Sequence, residues 1–364
     1  MDDAAARPSP VFRIETAGRA SRSAASAACL ILLALVLLPV FAGRTLIQDL
    51  IFLFYMLALA QCWNLLAGYA GLISVGQQAF VGLGGYLLFA LTLIGGINPL
   101  LAIPIAGVIS ALFALPTALI VFRLRGAYFA IGTWVVAEAY RLVFAQVKPL
   151  GGGTGTSLTP AITSSVPGIE WVKTLLDVRT PAARDIISYW LALALMAGTL
   201  GAVYLILRSR RGLALGAICE HEAAAAGLGV DIYRIKLAVY VATAAMTGMI
   251  GALIYLQKAR ISPDAAFSVL DWTAYVIFIV VIGGIGTMEG PIIGAIIFYL
   301  MQRYLADFGA SYLILLGTLG ILIMLFAPKG LWGLVAERYG LTLFPTRRRL
   351  AIPAAETISR DGLS

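Results

Sequence analysis

Long apolar runs, broken by glycine, proline or a few charges, fill most of this chain, and the longest uncharged reach, Leu50 to Phe122, contains no Lys, Arg, Asp or Glu. A spanning helix needs about 20 mostly apolar residues, so that reach alone predicts three spans. Cutting at glycine, proline and charge predicts ten in all: 24–42, 46–67, 72–94, 99–122, 128–147, 186–207, 237–257, and three shorter ones at 272–285, 291–305 and 312–327. The first two short runs flank the turn GGIGTMEGP and fit equally well as half-helices. Gly283, Gly284, Gly286, Gly290 and Pro291 are then a candidate gating turn. The predicted fold is an all-α polytopic integral membrane protein of about ten transmembrane helices, with short or re-entrant segments near Gly283 to Gly294.

Composition agrees with the pattern. Of 364 residues, 61% are hydrophobic and 12% charged, against about 25% charged in soluble domains. The net charge of +8 does not point to a nucleic-acid partner, because the basic residues lie between and beyond the apolar runs rather than on one soluble face. They report orientation instead. With ten spans threaded and the amino terminus inside, basic residues favour the inner loops by roughly two to one. Both termini then lie on the cytoplasmic side of the cell inner membrane, as does the loop 208–236, while the segment 148–185 lies outside.

Residues 1–23 hold Pro8, Pro10 and several arginines without apolar periodicity and read as a disordered basic tail; 336–364 reads as a basic inner tail, leaving 24–335 as the membrane domain. A cleaved signal peptide competes for the first span, against which stand a long leader and its acids. Cys29, Cys62 and Cys219 show no paired spacing and read as packing residues.

Enzyme chemistry finds little support. No Gly-Lys dipeptide occurs, so the glycine-rich GGGTGTS from Gly151 is no P-loop, and the chain is expected to bind neither ATP nor another cofactor. It reads as a turn after the fifth span. With His221 the only histidine, an H-E-x-x-H metal site is excluded. No catalytic or metal-ligating residue is expected.

Polar residues inside the spans are the candidate site. Gln61 and Asn64 share a helical face, and Gln77 and Gln78 open the next span. Their amides suit a zwitterionic substrate on a pathway and equally suit hydrogen bonds between packed helices. Glu138 and Arg141, at i and i+3, form an intramembrane pair, with a proton relay through Glu138 as the sharper alternative. Gly82, Gly84 and Gly85 read as close helix packing. Asp49, near a predicted span end, is given no role.

The loop from Arg208 to Lys236 interrupts the apolar pattern most strongly. Glu220, Glu222, the run Ala223, Ala224, Ala225, Ala226, then Gly227 and Gly229, predict one short helix with a small-residue surface and a stop at Gly227. It resembles the EAA loop of membrane subunits of ATP-binding-cassette importers. Further stretches, GYAGLISVGQQAFVGLGGY from Gly68, RLRGAYFAIGTWVVAEAYRLV from Arg123, and VVIGGIGTMEGPIIGA and LFAPKGLWGLV later on, are similar to permease subunits of branched-chain amino-acid importers of that class. The resemblance implies a permease that lines half of a path and docks its loop on a separate ATPase. It also implies the partners: a second related permease, two ATP-binding subunits that use the ATP, an extracytoplasmic substrate-binding protein, and the lipid bilayer. Gln77, Gln78 and Ala127 depart from common family residues, which keeps a urea or amide cargo open. An ion-coupled secondary transporter using Glu138 or Asp49 is the rival from another class.

Overall fold

The computed structural model describes residues 13–15, 19–164, 166–305, 308–339, 343–344 and 349–351. Much of the two predicted tails lies outside these. Strand β1 (Arg13–Glu15) pairs antiparallel with β4 (Arg349–Ala351). Helix α1 (Arg19–Leu37) starts before the predicted span.

Helix α2 (Arg44–Asn64) continues through a π-helical turn, Leu65–Tyr69. Helix α3 (Gln77–Phe89) ends in a second, Ala90–Ile94. Its start differs from the prediction at residue 72: Gly71 takes φ of +67° and Gly76 caps the helix, so the intervening residues form a non-helical link. Helices α4 (Pro99–Val121) and α5 (Ala127–Ala145) follow. The segment after α5 carries the short helices α6 (Pro160–Ser164) and α7 (Ile169–Leu176). Its strand β2 (Thr156–Ser157) pairs with β3 (Arg260–Ile261), tying it to the chain beyond the seventh predicted span.

Helix α8 (Thr180–Arg208) leads into α9 (Arg210–Glu220) and α10 (Glu222–Gly227), and α11 (Ile232–Lys258) returns. Helix α12 (Pro263–Ala266), a third π-helical turn and α13 (Tyr275–Gly283) make one descending run; α14 (Gly290–Leu305), α15 (Ala310–Phe326) and α16 (Gly330–Tyr339) complete the chain. The protein is an all-α polytopic membrane protein. Among the described residues seven helical runs are long and apolar enough to cross a bilayer. The other predicted spans are also helical: α1 is apolar over a shorter stretch, α5 carries Glu138 and Arg141, and α14 has 16 residues.

Lipid tails give apolar side chains no reason to leave them, so spans associate through close packing and polar contacts. Helix α2 occupies the middle, packed by α8, α11, α13 and α14. Around it, α11 lies against both α3 and α4. Gly84 faces the backbone of Gly248, and Gly251 faces that of Val81. A side chain at either glycine would overlap the facing carbonyl. By contrast α4 and α15 keep most of their surface outward.

Candidate functional site

The four amides, the glycine turn and the 208–236 loop converge at the Asn64 end of α2 or in the bundle beside it, away from the Glu138 pair and Asp49. The turn 284–289 between α13 and α14 is shaped by glycine. Gly284 and Gly286 take φ of +132° and +75°, where L side chains are strained. Gly283 packs on the Gly290 carbonyl and Gly294 on that of Ile279. The two helices therefore run antiparallel in close contact, as a hairpin with a tight tip.

Asn64 and Gln61 hold that tip. The Asn64 amide donates to the Thr287 carbonyl at 2.7 Å and accepts from the Gly286 N–H at 2.8 Å. One turn earlier, Gln61 donates to the Met288 carbonyl at 2.6 Å. Both side chains are fully buried. Their spacing of three puts them on one helical face, and that face meets the tip. The sequence left pathway contact and interhelical bonding open; in this geometry both amides bond the backbone of the turn.

Gln77 donates to the Leu59 carbonyl at 2.9 Å, and Gln78 is bonded through its carbonyl oxygen to the Thr273 hydroxyl. The Oε1 atoms of Gln61 and Gln77 and the Nε2 of Gln78 are buried without a partner. Gln77 also borders a cavity of about 10 Å³, with Ser74, Cys62, Thr243 and Thr247 around it. That is room for about one water, which suits a bridging solvent molecule rather than an amino acid.

The loop 208–236 is mostly exposed. The predicted single helix is two, broken at His221, whose extended backbone starts α10 and whose Nδ1 accepts from the Ala224 N–H at 3.2 Å. His221 is thus a helix cap. The helix ends at Gly227, as expected, and the left-handed residue that turns the chain away is Gly229: it takes φ of +80°, its N–H reaches the Ala226 carbonyl and the Val230 N–H reaches that of Ala225. This is the pattern of a glycine-terminated helix end. Glu222 already has a partner inside the chain, Lys236 at 3.0 Å. Ala223 and Ala224 stay exposed.

Two residues escaped the sequence reading. Leu228 is 81% exposed between Gly227 and Gly229, an apolar knob whose only sequence signal was a leucine between two glycines. Glu289, in the turn, is 7% exposed and accepts the N–H groups of Leu343 and Phe344 at 3.1 and 2.9 Å. Phe344 in turn packs edge-on against Tyr204 of α8. Cys219 of α9, read from the sequence as a packing residue, is exposed, with its sulfur 3.6 Å from the Gly68 carbonyl.

Glu138 and Arg141 pair at 2.6 Å, and Arg141 also reaches Asp264 of α12 at 2.7 Å. Glu138 and Arg141 sit on the outward face of α5 beside exposed Trp134, with Asp264 reaching across from α12. Among the described residues no group of three or more potential metal ligands assembles.

Residues 45–327 match the family described as branched-chain amino acid transport system / permease component. The high-affinity branched-chain amino acid transport system permease protein LivM of Escherichia coli (strain K12) is 30% identical over 281 residues, 74% of this chain and 65% of the relative. LivM of Salmonella typhimurium is 29% identical over 279 residues, with the same coverage. The permease protein BraD of Pseudomonas aeruginosa is 31% identical over 138 residues, 36% of this chain and 43% of that one. The chain thus spans about 65% of the length of the two LivM relatives. No solved structure matches it.

Proposed function

This chain belongs to the branched-chain amino acid transport permease-component family, and from that premise we propose that it is the permease subunit of an ATP-driven importer for leucine, isoleucine and valine. It lines half of a path through the inner membrane and carries no ATPase site of its own. Its partners are a second, related permease, two ATP-binding subunits that consume the ATP, and an extracytoplasmic binding protein. Both termini face the cytoplasm.

The observation that carries this reading is the joint position of the loop 208–236 and the glycine turn. The family match covers both, and they meet at one end of the bundle. Arg208, Arg210, Arg211, Arg234, Lys236 and Lys329 gather at that same end, which is the charge bias of a cytoplasmic face. The loop docks an ATPase through the short helix α10. Ala223 and Ala224 permit close approach there, and Leu228 supplies the apolar contact. The Glu222–Lys236 pair holds α10 against α11, so Glu222 shapes the docking helix rather than offering a spare charge. Glu220 stands at the end of α9, next to it.

The charged trio that joins α5 to α12 is expensive to leave in lipid. We place it against water or the partner permease, near the outward mouth of the path. A ligand shifts two states only by its differential affinity for them, so uphill import needs the partner ATPase.

The test is ATP hydrolysis by the complex that co-purifies with this chain, reconstituted in liposomes with the binding protein. Stimulation by leucine, isoleucine or valine is expected. Stimulation only by urea or a short amide would replace the cargo, and ion-driven uptake with no associated ATPase would overturn the reading.

A further inference from the structure

We propose that Asn64 is a positioning residue for coupling: it latches the turn 284–289 to α2, and Gly68 is the contact through which loop helix α9 acts on that latch. The inference rests on the reading of the 208–236 loop as the ATPase-docking element. A run of close contacts joins the loop to the turn. The sulfur of Cys219, at the end of α9, approaches the Gly68 carbonyl at 3.6 Å. Gly68 lies against the turn so closely that a Cβ there would sit 2.5 Å from the Gly286 nitrogen and 2.5 Å from the Asn64 Oδ1. Asn64 bonds both Gly286 and Thr287, and Gln61 adds Met288.

The local backbone fits a moving part. Gly68 lies within the π-helical turn Leu65–Tyr69, and such wide turns concentrate at functional sites in helices. The tip they meet is built on glycines with positive φ. The amide is suited to a latch because it has one donor face and one acceptor face. It engages a carbonyl and an N–H on successive residues, which only one geometry of the turn presents together. A displacement of α9 by the docked ATPase would reach Gly68 first and the turn next, with Asn64 deciding whether the tip follows α2.

Two variants test this in the reconstituted complex, with amounts normalised to assembled protein. Asn64→Leu removes the latch, and Gly68→Ala wedges the turn away from α2. Thr117→Val, which deletes a hydrogen bond to the Tyr140 hydroxyl remote from the turn, is the control for simple loss of a buried polar contact. Both test variants are expected to hydrolyse ATP within about twofold of the natural protein while importing substrate at least tenfold less. The control should keep the natural ratio of import to hydrolysis. A ratio unchanged in Asn64→Leu and Gly68→Ala, or import and hydrolysis falling together as they would for mere instability, overturns the proposal.

A second readout does not depend on the ATPase. Cys219 is exposed and Cys62 buried, so in a Cys29→Ser background a water-soluble maleimide reports on Cys219. Gly68→Ala should raise its labelling rate severalfold; an unchanged rate removes α9 from the chain of contacts. Labelling that responds in a chain with no associated ATPase keeps the joint and overturns the importer reading instead.

Discussion

Near Arg44, α2 is fastened to α8 and α14 by ion pairs in which Arg44, Arg303 and Asp49 stay partly exposed while Asp185 is buried; near Asn64 it is fastened to a glycine turn by neutral, fully buried amides. At the first end Arg44 and Gln48 both donate to Asp185, at 2.6 and 3.0 Å, and Asp49 pairs with Arg303 and Tyr299. At the second, Gln61 and Asn64 bond three successive residues of backbone, Gly286, Thr287 and Met288. The charged contacts depend mainly on distance and tolerate sliding. The amides require a particular orientation of donor and acceptor. One helix is therefore held loosely in geometry at one end and strictly at the other, and the strict end is the one beside the loop.

Removing the strict contact should have the largest effect on stability. Asn64→Leu leaves the Gly286 N–H and the Thr287 carbonyl without their partner, and an unsatisfied buried group costs about 1–3 kcal/mol. A fall in the thermal unfolding midpoint of the purified protein in detergent measures it. A midpoint equal to the natural one would show that water enters the turn and replaces the amide, and the contrast between the two ends would disappear.

The two ends were not equally legible in the sequence. Hydropathy located the helices, because a bilayer demands long apolar segments whatever their neighbours are. Single-sequence patterning also singled out Gln61, Asn64 and the glycines of the turn, since polar or flexible residues stand out against an apolar background. It could not pair Asn64 with Gly286, more than two hundred residues away. No local rule carries that information. Glu289 was passed over because an acid between Met288 and Gly290 in a turn looks solvated, whereas its burial comes from Leu343 and Phe344 far along the chain. The loop helix was expected to stop at Gly227, and it does. Which of the two nearby glycines takes the positive φ behind that stop is a matter on which composition is silent; it is Gly229.

At the charged end, Arg44→Ala should cost less than Asn64→Leu. Asp185 is buried, but Gln48 continues to donate to the same oxygen at 3.0 Å, and Arg44 is about half exposed. Loss of one hydrogen bond to a charged group is worth about 1.5–3 kcal/mol, toward the low end because Gln48 still donates, against two groups left unsatisfied at Asn64, and is read as a smaller fall in the same midpoint. A drop as large as that of Asn64→Leu would mean that Gln48 cannot hold Asp185 alone and that this end, too, is strict.

The smallest effect is expected at Asp49. In Asp49→Asn an oxygen remains to accept from the Tyr299 hydroxyl, and only the charge facing Arg303 is lost. Both partners are partly exposed, so the pair is worth about 0–1 kcal/mol. Salt separates it cleanly from the amide latch. At about 1 M ionic strength the screening length falls to roughly 3 Å, and the difference between Asp49→Asn and the natural protein should vanish. The deficit of Asn64→Leu should persist unchanged, because no net charge is involved. If the Asp49 difference also survives high salt, then lipid or a partner subunit covers that pair, and the looseness of the Arg44 end belongs to the isolated chain rather than to the working complex.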